Sequence, residues 1–274
     1  MHSRVAGPKV AVMRVLILIC LISASCVAQE SRPNDPKALY EQAMNKLTGV
    51  PPNRNDFVGI DLMTRSADFG YLPAQLAVGY IYETGKHTAG NPSKAADYYR
   101  KAASQGSHLA EYQLGRLYYL GLFGTSRRDG EKWLQSAAEA GNPFAAYLLG
   151  DSIYDRDPAA ALPRFRAAAD QGLPYAQYRL AKALLDGRLP PINKHEAYLW
   201  FFVSREAGIE QAATDMSLLE SSMGTVETEK IKNEARELQA RVRRSVNAKG
   251  CTGWDGELDT IPALPPLDLQ HYCE

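Results

Sequence analysis

Apolar positions recur along the middle of the chain at helical spacing, small beside large. After Ala74 come Val78-Gly79, Tyr82 and Gly85, at offsets of 4, 5, 8 and 11. Ala110 is followed in the same register by Leu114-Gly115, Tyr118 and Gly121, and Ala176 by Leu180-Ala181, Leu184 and Gly187. These offsets share one face of a helix. The small residue at offset 5 leaves room for a neighbouring helix, and the glycine at offset 11 is expected to end the helix.

A second helical pattern alternates with the first. It carries bulky residues and closes on small residues and a glycine. The bulky positions are Leu62-Met63, Tyr98-Tyr99, Trp133-Leu134, Phe165 and Trp200-Phe201. The closing glycines are Gly70, Gly106, Gly141, Gly172 and Gly208, spaced 36, 35, 31 and 36 residues apart. Four residues after each comes the alanine that opens the next unit: Ala74, Ala110, Ala145, Ala176 and Ala212. The unit is therefore helix, loop, helix, turn. Large side chains of the second helix are set against small ones of the first, as stacked helix pairs require. The loops Gly85–Ser93, Gly121–Asp129 and Gly187–Lys194 are polar or proline-rich. Asp155–Pro158 is a shorter loop and accounts for the 31-residue interval. In the first unit, near Ala38 to Gly70, only Ala38, Ala43 and Gly49 keep the columns, as expected of a terminal cap.

Ala-x-x-x-Leu-Gly-x-x-Tyr-x-x-Gly followed by Lys-Ala-x-x-Tyr-Tyr-x-Lys-Ala-Ala-x-x-Gly resembles the Sel-one-like repeat, an α-solenoid family related to tetratricopeptide repeats. Ala74–Gly106 and Ala110–Gly141 are the copies nearest that pattern, and the resemblance spans about residues 38–212. It implies an all-α fold: a right-handed α-solenoid of helix-turn-helix repeats, with a C-terminal capping helix and an extended tail. It also implies scaffolding or adaptor work on a protein or peptide partner, without catalysis or cofactor. Some cysteine-rich relatives are associated with β-lactams, but they carry a cysteine pair in each repeat, and this chain has none inside its repeats.

The solenoid is expected over residues 38–223, after a linker at 29–37. Residues 224–247 read as one long charged helix with Ile231, Ala235, Leu238 and Val242 at helical spacing. Glu227 and Glu229 near its start and Arg241, Arg243 and Arg244 near its end suit the helix dipole. Its basic end leaves open a contact with an acidic partner or lipid head groups. Residues 248–274, with Gly250, Gly253, Gly256 and Ile261-Pro262-Ala263-Leu264-Pro265-Pro266-Leu267, read as an extended tail, folded back or free.

Residues 1–28 have the form of an export signal: basic Arg4, Lys9 and Arg14, an apolar core from Val15 to Ile22, then Ser23-Ala24-Ser25-Cys26-Val27-Ala28. Cleavage after Ala28 is the first reading, lipidation at Cys26 the second and an uncleaved anchor the third. Ser23, where bacterial lipoproteins usually carry leucine, counts against the second. Cleavage places the protein in the periplasm or outside the cell and leaves two cysteines, Cys251 and Cys273. In an oxidising compartment these are a candidate disulfide closing a loop of about 23 residues, worth roughly 3 kcal/mol in the chain-entropy picture. Two free thiols are the alternative. The full chain balances 31 basic against 31 acidic residues, so no nucleic-acid footprint shows in its totals. After the signal no apolar run approaches the roughly 20 residues of a membrane span.

Candidate chemistry is sparse. His195-Glu196 begins like a zinc-protease helix, but Leu199 occupies the second ligand position. Gly79 to Gly85-Lys86-His87-Thr88 is one residue too long for a phosphate loop and has His87 at the magnesium-binding hydroxyl. Gly124-Thr125-Ser126-Arg127-Arg128 lacks the closing glycine of a nucleophile elbow. No metal, cofactor or acid–base constellation emerges.

Offsets 2, 6 and 9 of each first helix point away from the core face. They collect Leu76, Tyr112, Tyr147 and Tyr178; Tyr80, Arg116, Asp151 and Lys182; and Glu83, Tyr119, Tyr154 and Leu185. Tyr112, Arg116, Tyr119, Tyr147, Asp151, Tyr154, Tyr178 and Lys182 are accordingly the candidate partner-binding residues, since tyrosine and arginine are favoured binding anchors. Packing between repeats is the competing role for the offset-2 tyrosines, and plain solvation for the offset-6 charges. The functional expectation is an exported, non-enzymatic scaffold in the cell envelope. A secreted factor, or an enzyme or enzyme subunit acting on cell-wall material, are its alternatives.

Overall fold

A computed structural model of the chain describes residues 34–122, 127–223 and 225–249. Among the described residues there are twelve α-helices and no strand, arranged as six antiparallel pairs. The first helices of the pairs are α1 (Pro36–Thr48), α3 (Leu72–Thr84), α5 (His108–Tyr119), α7 (Pro143–Ile153), α9 (Pro174–Leu184) and α11 (Glu210–Met223). The second helices are α2 (Asp56–Asp68), α4 (Pro92–Ala103), α6 (Arg127–Glu139), α8 (Pro158–Asp170), α10 (Lys194–Glu206) and α12 (Thr225–Lys249). Each helix packs on the one before it and the one after it, so the array is an all-α solenoid.

Local chemistry sets the helix ends. Asn55, Asn91, Asp157 and Asn193 each accept a hydrogen bond from a backbone N–H in the first turn of the second helix that follows. Ser107 and Asn142 do the same for α5 and α7. Proline stands in the first turn of α4 and α8, where a missing N–H costs nothing. Gly70, Gly106, Gly141, Gly172 and Gly208 all take the left-handed conformation, with φ between 87° and 96°, and turn the chain into the next unit as the spacing predicts.

The small-against-large packing takes physical form inside each pair. Ala74, Ala110, Ala145, Ala176 and Ala212 are fully buried, and Val78, Leu114, Leu149, Leu180 and Met216 follow them into the core. The offset-5 glycines give up their side chain to the partner helix. A Cβ on Gly79 would stand 2.5 Å from the Tyr99 ring, on Gly115 2.7 Å from Leu134, and on Gly150 2.8 Å from Phe165. In the next unit Ala181 holds this position, fully buried beside the equally buried Phe201 core residue.

Two glycines assigned to helix ends behave differently. Gly49 follows α1 with an extended backbone at φ −64°, not a left-handed one. The helix α9 stops at Leu184, three residues before Gly187, and Leu185 caps it in the right-handed region. Gly85 and Gly121 do take positive φ, at 71° and 67°. So does His87, at 68°, a conformation uncommon for a residue with a Cβ.

The helix α12 lies along α10 and α11 and buries Ile231, Ala235, Leu238 and Val242. Farther along it reaches back over the turn after α8, where a Cβ on Gly172 would come within 2.3 Å of Val246. His195 Nε2 meets Glu234 Oε2 at 2.8 Å on the same side. The expected export signal with Cys26, the expected linker up to residue 33, the Gly124-Thr125-Ser126 segment, Cys251, Cys273 and the expected tail from Gly250 lie outside the described residues.

Candidate partner-binding face

The first helices carry a succession of polar contacts between one repeat and the next. Arg116 of α5 pairs with Glu83 of α3, and Tyr99 donates its hydroxyl to the same Glu83 at 2.8 Å. One repeat on, the Tyr119 hydroxyl donates to Asp151 of α7. Asp151 also pairs with Arg179 of α9 at 2.7 Å. Lys182 of α9 then pairs with Asp215 of α11 at 3.2 Å, and Tyr178 donates to Asp215 at 2.9 Å.

These rungs share a register. Offset 9 of one repeat meets offset 6 of the next in Glu83–Arg116 and Tyr119–Asp151. Offset 6 meets offset 3 of the next in Asp151–Arg179 and Lys182–Asp215. Successive repeats are thus displaced by about three residues, just under one helical turn.

The candidate residues divide by this geometry. Arg116, Asp151 and Lys182 are joined to neighbouring repeats and keep part of their side chains in water, 24% for Arg116, 19% for Asp151 and 47% for Lys182. Tyr119 is half-buried, with the Arg127 guanidinium 4.4 Å from its ring centre. Tyr154 is buried, donates to Asp186 at 2.6 Å, and has the Arg188 and Arg179 guanidinium groups 4.9 and 5.1 Å from its ring centre. The offset-2 tyrosines sit between helices: Tyr112 against Phe144, Tyr147 against Phe165 and Tyr178 against Phe201, with ring centres 5.9–6.3 Å apart.

Electrostatics follow from these neighbours. Burial and then the bond to Asp186 raise the Tyr154 hydroxyl to about 12. Arg188 first, then the Tyr154 hydroxyl, hold the Asp186 carboxyl well below the usual carboxylate range. Burial pulls the Arg116 guanidinium down, Glu83 more than offsets it, and the net shift is upward. All three groups therefore keep one protonation state across neutral pH. Coulombic exchange at these partly exposed pairs is modest, because water screens it. Their larger effect is to fix which charge faces outward at each repeat.

Sequence reasoning left Glu83, Arg179, Asp186, Arg188 and Asp215 out of the candidate set. Arg179 and Asp215 sit at offset 3, a column readable as the acid or base facing the previous repeat's offset 6. Among the described residues the histidines are each held by one carboxylate: His87 by Asp56 at 2.9 Å, His108 by Glu111 at 2.9 Å and His195 by Glu234 at 2.8 Å. Among the described residues no group of three or more histidine, cysteine, aspartate or glutamate side chains could hold a metal ion. No helix among them is long and apolar enough to cross a membrane.

Comparison with known proteins names the architecture. The Sel1 repeat family model matches residues 72–107, 108–142 and 174–208. Three units of the solenoid are therefore Sel1 repeats. Its similarities to individual proteins are partial. It is 30% identical over 159 residues to chitin synthase regulatory factor 3 of Schizosaccharomyces pombe, covering 55% of this chain and 17% of that protein. It is 34% identical over 95 residues to the chitin synthase regulator SKT5 of Saccharomyces cerevisiae, covering 33% of this chain and 14% of that protein. The chain thus spans a small fraction of these relatives' length. A Sel1 repeat protein from Oxalobacter formigenes superposes with a TM-score of 0.55 at 21% identity, over 78% of this chain and 92% of that one, and shares the fold.

Proposed function

We propose that this chain is a non-catalytic scaffold that binds a protein or peptide partner along the face formed by its first helices. The observation that carries this reading is the inter-repeat ladder. It presents Arg116, Asp151 and Lys182, partly exposed, at a constant register along three successive repeats. Each charged group is used to lock neighbouring repeats, which pre-organises its exposed part for an extended partner. The chitin synthase regulators it resembles support a regulatory binding role of the same general kind. The reading extends to export: residues 1–28 act as a cleaved signal, and the mature protein works in the envelope. N-terminal sequencing of the native protein should begin at Gln29. A lipidated Cys26 at the mature terminus, or an intact Met1, would overturn the cleavage.

The test uses charge exchange. Lys182→Asp with Asp215→Lys keeps an oppositely charged rung and reverses what the partner meets. The tagged protein, captured from crosslinked envelope extract, should recover a partner that this double variant loses at unchanged melting temperature. Arg100→Glu on α4, on the opposite side, should recover it normally. Equal recovery by all three proteins would remove the first-helix face as the binding surface.

A further inference from the structure

The ladder has an apolar interruption at its N-terminal end. In the register of α1, Met44 holds offset 6 and Leu47 offset 9. Met44 therefore faces Ala77, at offset 3 of α3, where later repeats have Asp151–Arg179 and Lys182–Asp215. A charged pair is replaced by a thioether and a methyl group, and space is left over. A cavity of about 230 Å³ opens there, floored by Met44, Leu47, Met63, Ala77 and Ile81. All but Met44 are buried.

The mouth is basic: Arg54, Lys86 and His87 line it, and no acidic side chain does. Asp56 lies just outside and engages two of the three. Arg54 donates to both of its oxygens, at 3.1 and 3.3 Å, and His87 Nδ1 stands 2.9 Å from it. This clamp holds His87 in its left-handed backbone conformation, with the ring only 10% exposed. Lys86 is exposed and its ammonium has no acidic partner among the described residues. An apolar hole of side-chain size therefore carries a single uncompensated cation at its rim.

We infer that this cavity is a binding site for an apolar group ending in a carboxylate, with the apolar part against Met44, Leu47 and Ala77 and the carboxylate on Lys86. One cation matches one monoanion, and the volume lies below that of a drug-sized site, which suits one aliphatic chain or side chain. A free fatty acid and a peptide C-terminus after an apolar residue share this chemistry. The inference rests on the partner-binding reading only for its place at the end of that face.

The test is a titration of the full chain, labelled with ¹³C at the methionine methyl groups, with sodium octanoate. Met44 and Met63 line the cavity and Met216 lies in the distant C-terminal core, so the labels separate local from general binding. The Met44 and Met63 methyl signals should shift saturably, with Kd on the order of 0.1–1 mM, while Met216 stays still. Lys86→Gln should weaken binding on the order of fivefold. Thr48→Trp, an exposed rim position, should abolish it without disturbing the fold; Ala77→Leu fills the floor as a second block. Octanol should bind more weakly than octanoate. Acetyl-leucine binding better than octanoate would identify the peptide source, and the reverse the fatty acid. Equal binding of octanol and octanoate, still signals at Met44 and Met63, or shifts that include Met216 would overturn the site. None of these results depends on the capture experiment above.

Discussion

Gln177 repeats the position of Gln75 but lacks its partner. Both side chains donate to a carbonyl of the preceding second helix, Gln75 to Ala67 at 3.1 Å and Gln177 to Ala169 at 3.3 Å. The Gln75 oxygen accepts from Gln105 at 2.7 Å, whereas the buried Gln177 oxygen has no donor among the described residues. The residue equivalent to Gln105, one before the turn glycine, is Ala207. Ala207→Gln should therefore stabilise the protein by about 1 kcal/mol, and Gln105→Ala should destabilise it by about 1–2 kcal/mol. Urea unfolding midpoints check both. A neutral result for Gln105→Ala would mean that this hydrogen bond contributes nothing.

The offset-5 glycines make a sharper claim about packing. Gly150→Ala places a methyl group 2.8 Å from the Phe165 ring, and Phe165 is fully buried. Overpacking of this kind costs about 1–3 kcal/mol. Phe165→Leu alone leaves a void and also destabilises, but the double variant should lose less than the sum of the two. Strict additivity in a double-mutant cycle would show that the two side chains do not share that space.

Acid should loosen the later repeats through Asp186. Its folded carboxyl is depressed by Arg188 and the Tyr154 hydroxyl. The ionised form thus stabilises the fold fully above the unfolded value near pH 4, and that stability begins to fall there and is lost as pH drops through the depressed folded value. Asp186→Asn should be less stable than wild type at pH 7, and the gap should already be narrower at pH 3. Equal gaps at pH 7 and pH 3, measured by thermal unfolding, would exclude the linkage.

Repetition made the core legible in the sequence. The Ala74 column, the left-handed turn glycines and the setting of large side chains against small ones all follow from composition at fixed spacing, because each describes one helix against its own partner. The candidate face was legible only in part. Arg116, Asp151 and Lys182 stood out as a column, but their partners Glu83, Arg179 and Asp215 depend on the three-residue displacement between repeats. That displacement belongs to the stacking of one pair on another, which no single unit encodes. Gly187 marks a similar boundary: in the repeat pattern it ends a helix, yet α9 stops at Leu184 and the loop runs on without using the glycine's freedom.

The contact between Val246 and Gly172 makes the last helix a gauge. It spans from the final pair back to the turn after α8, so it touches residues contributed by units four, five and six together. A duplicated unit ahead of α8 would simply travel with the array. A duplicated unit between α8 and α10 would carry Gly172 out of reach and leave α12 with the wrong surface beneath it. The number of repeats is thus free to drift at one end of this protein and is counted at the other.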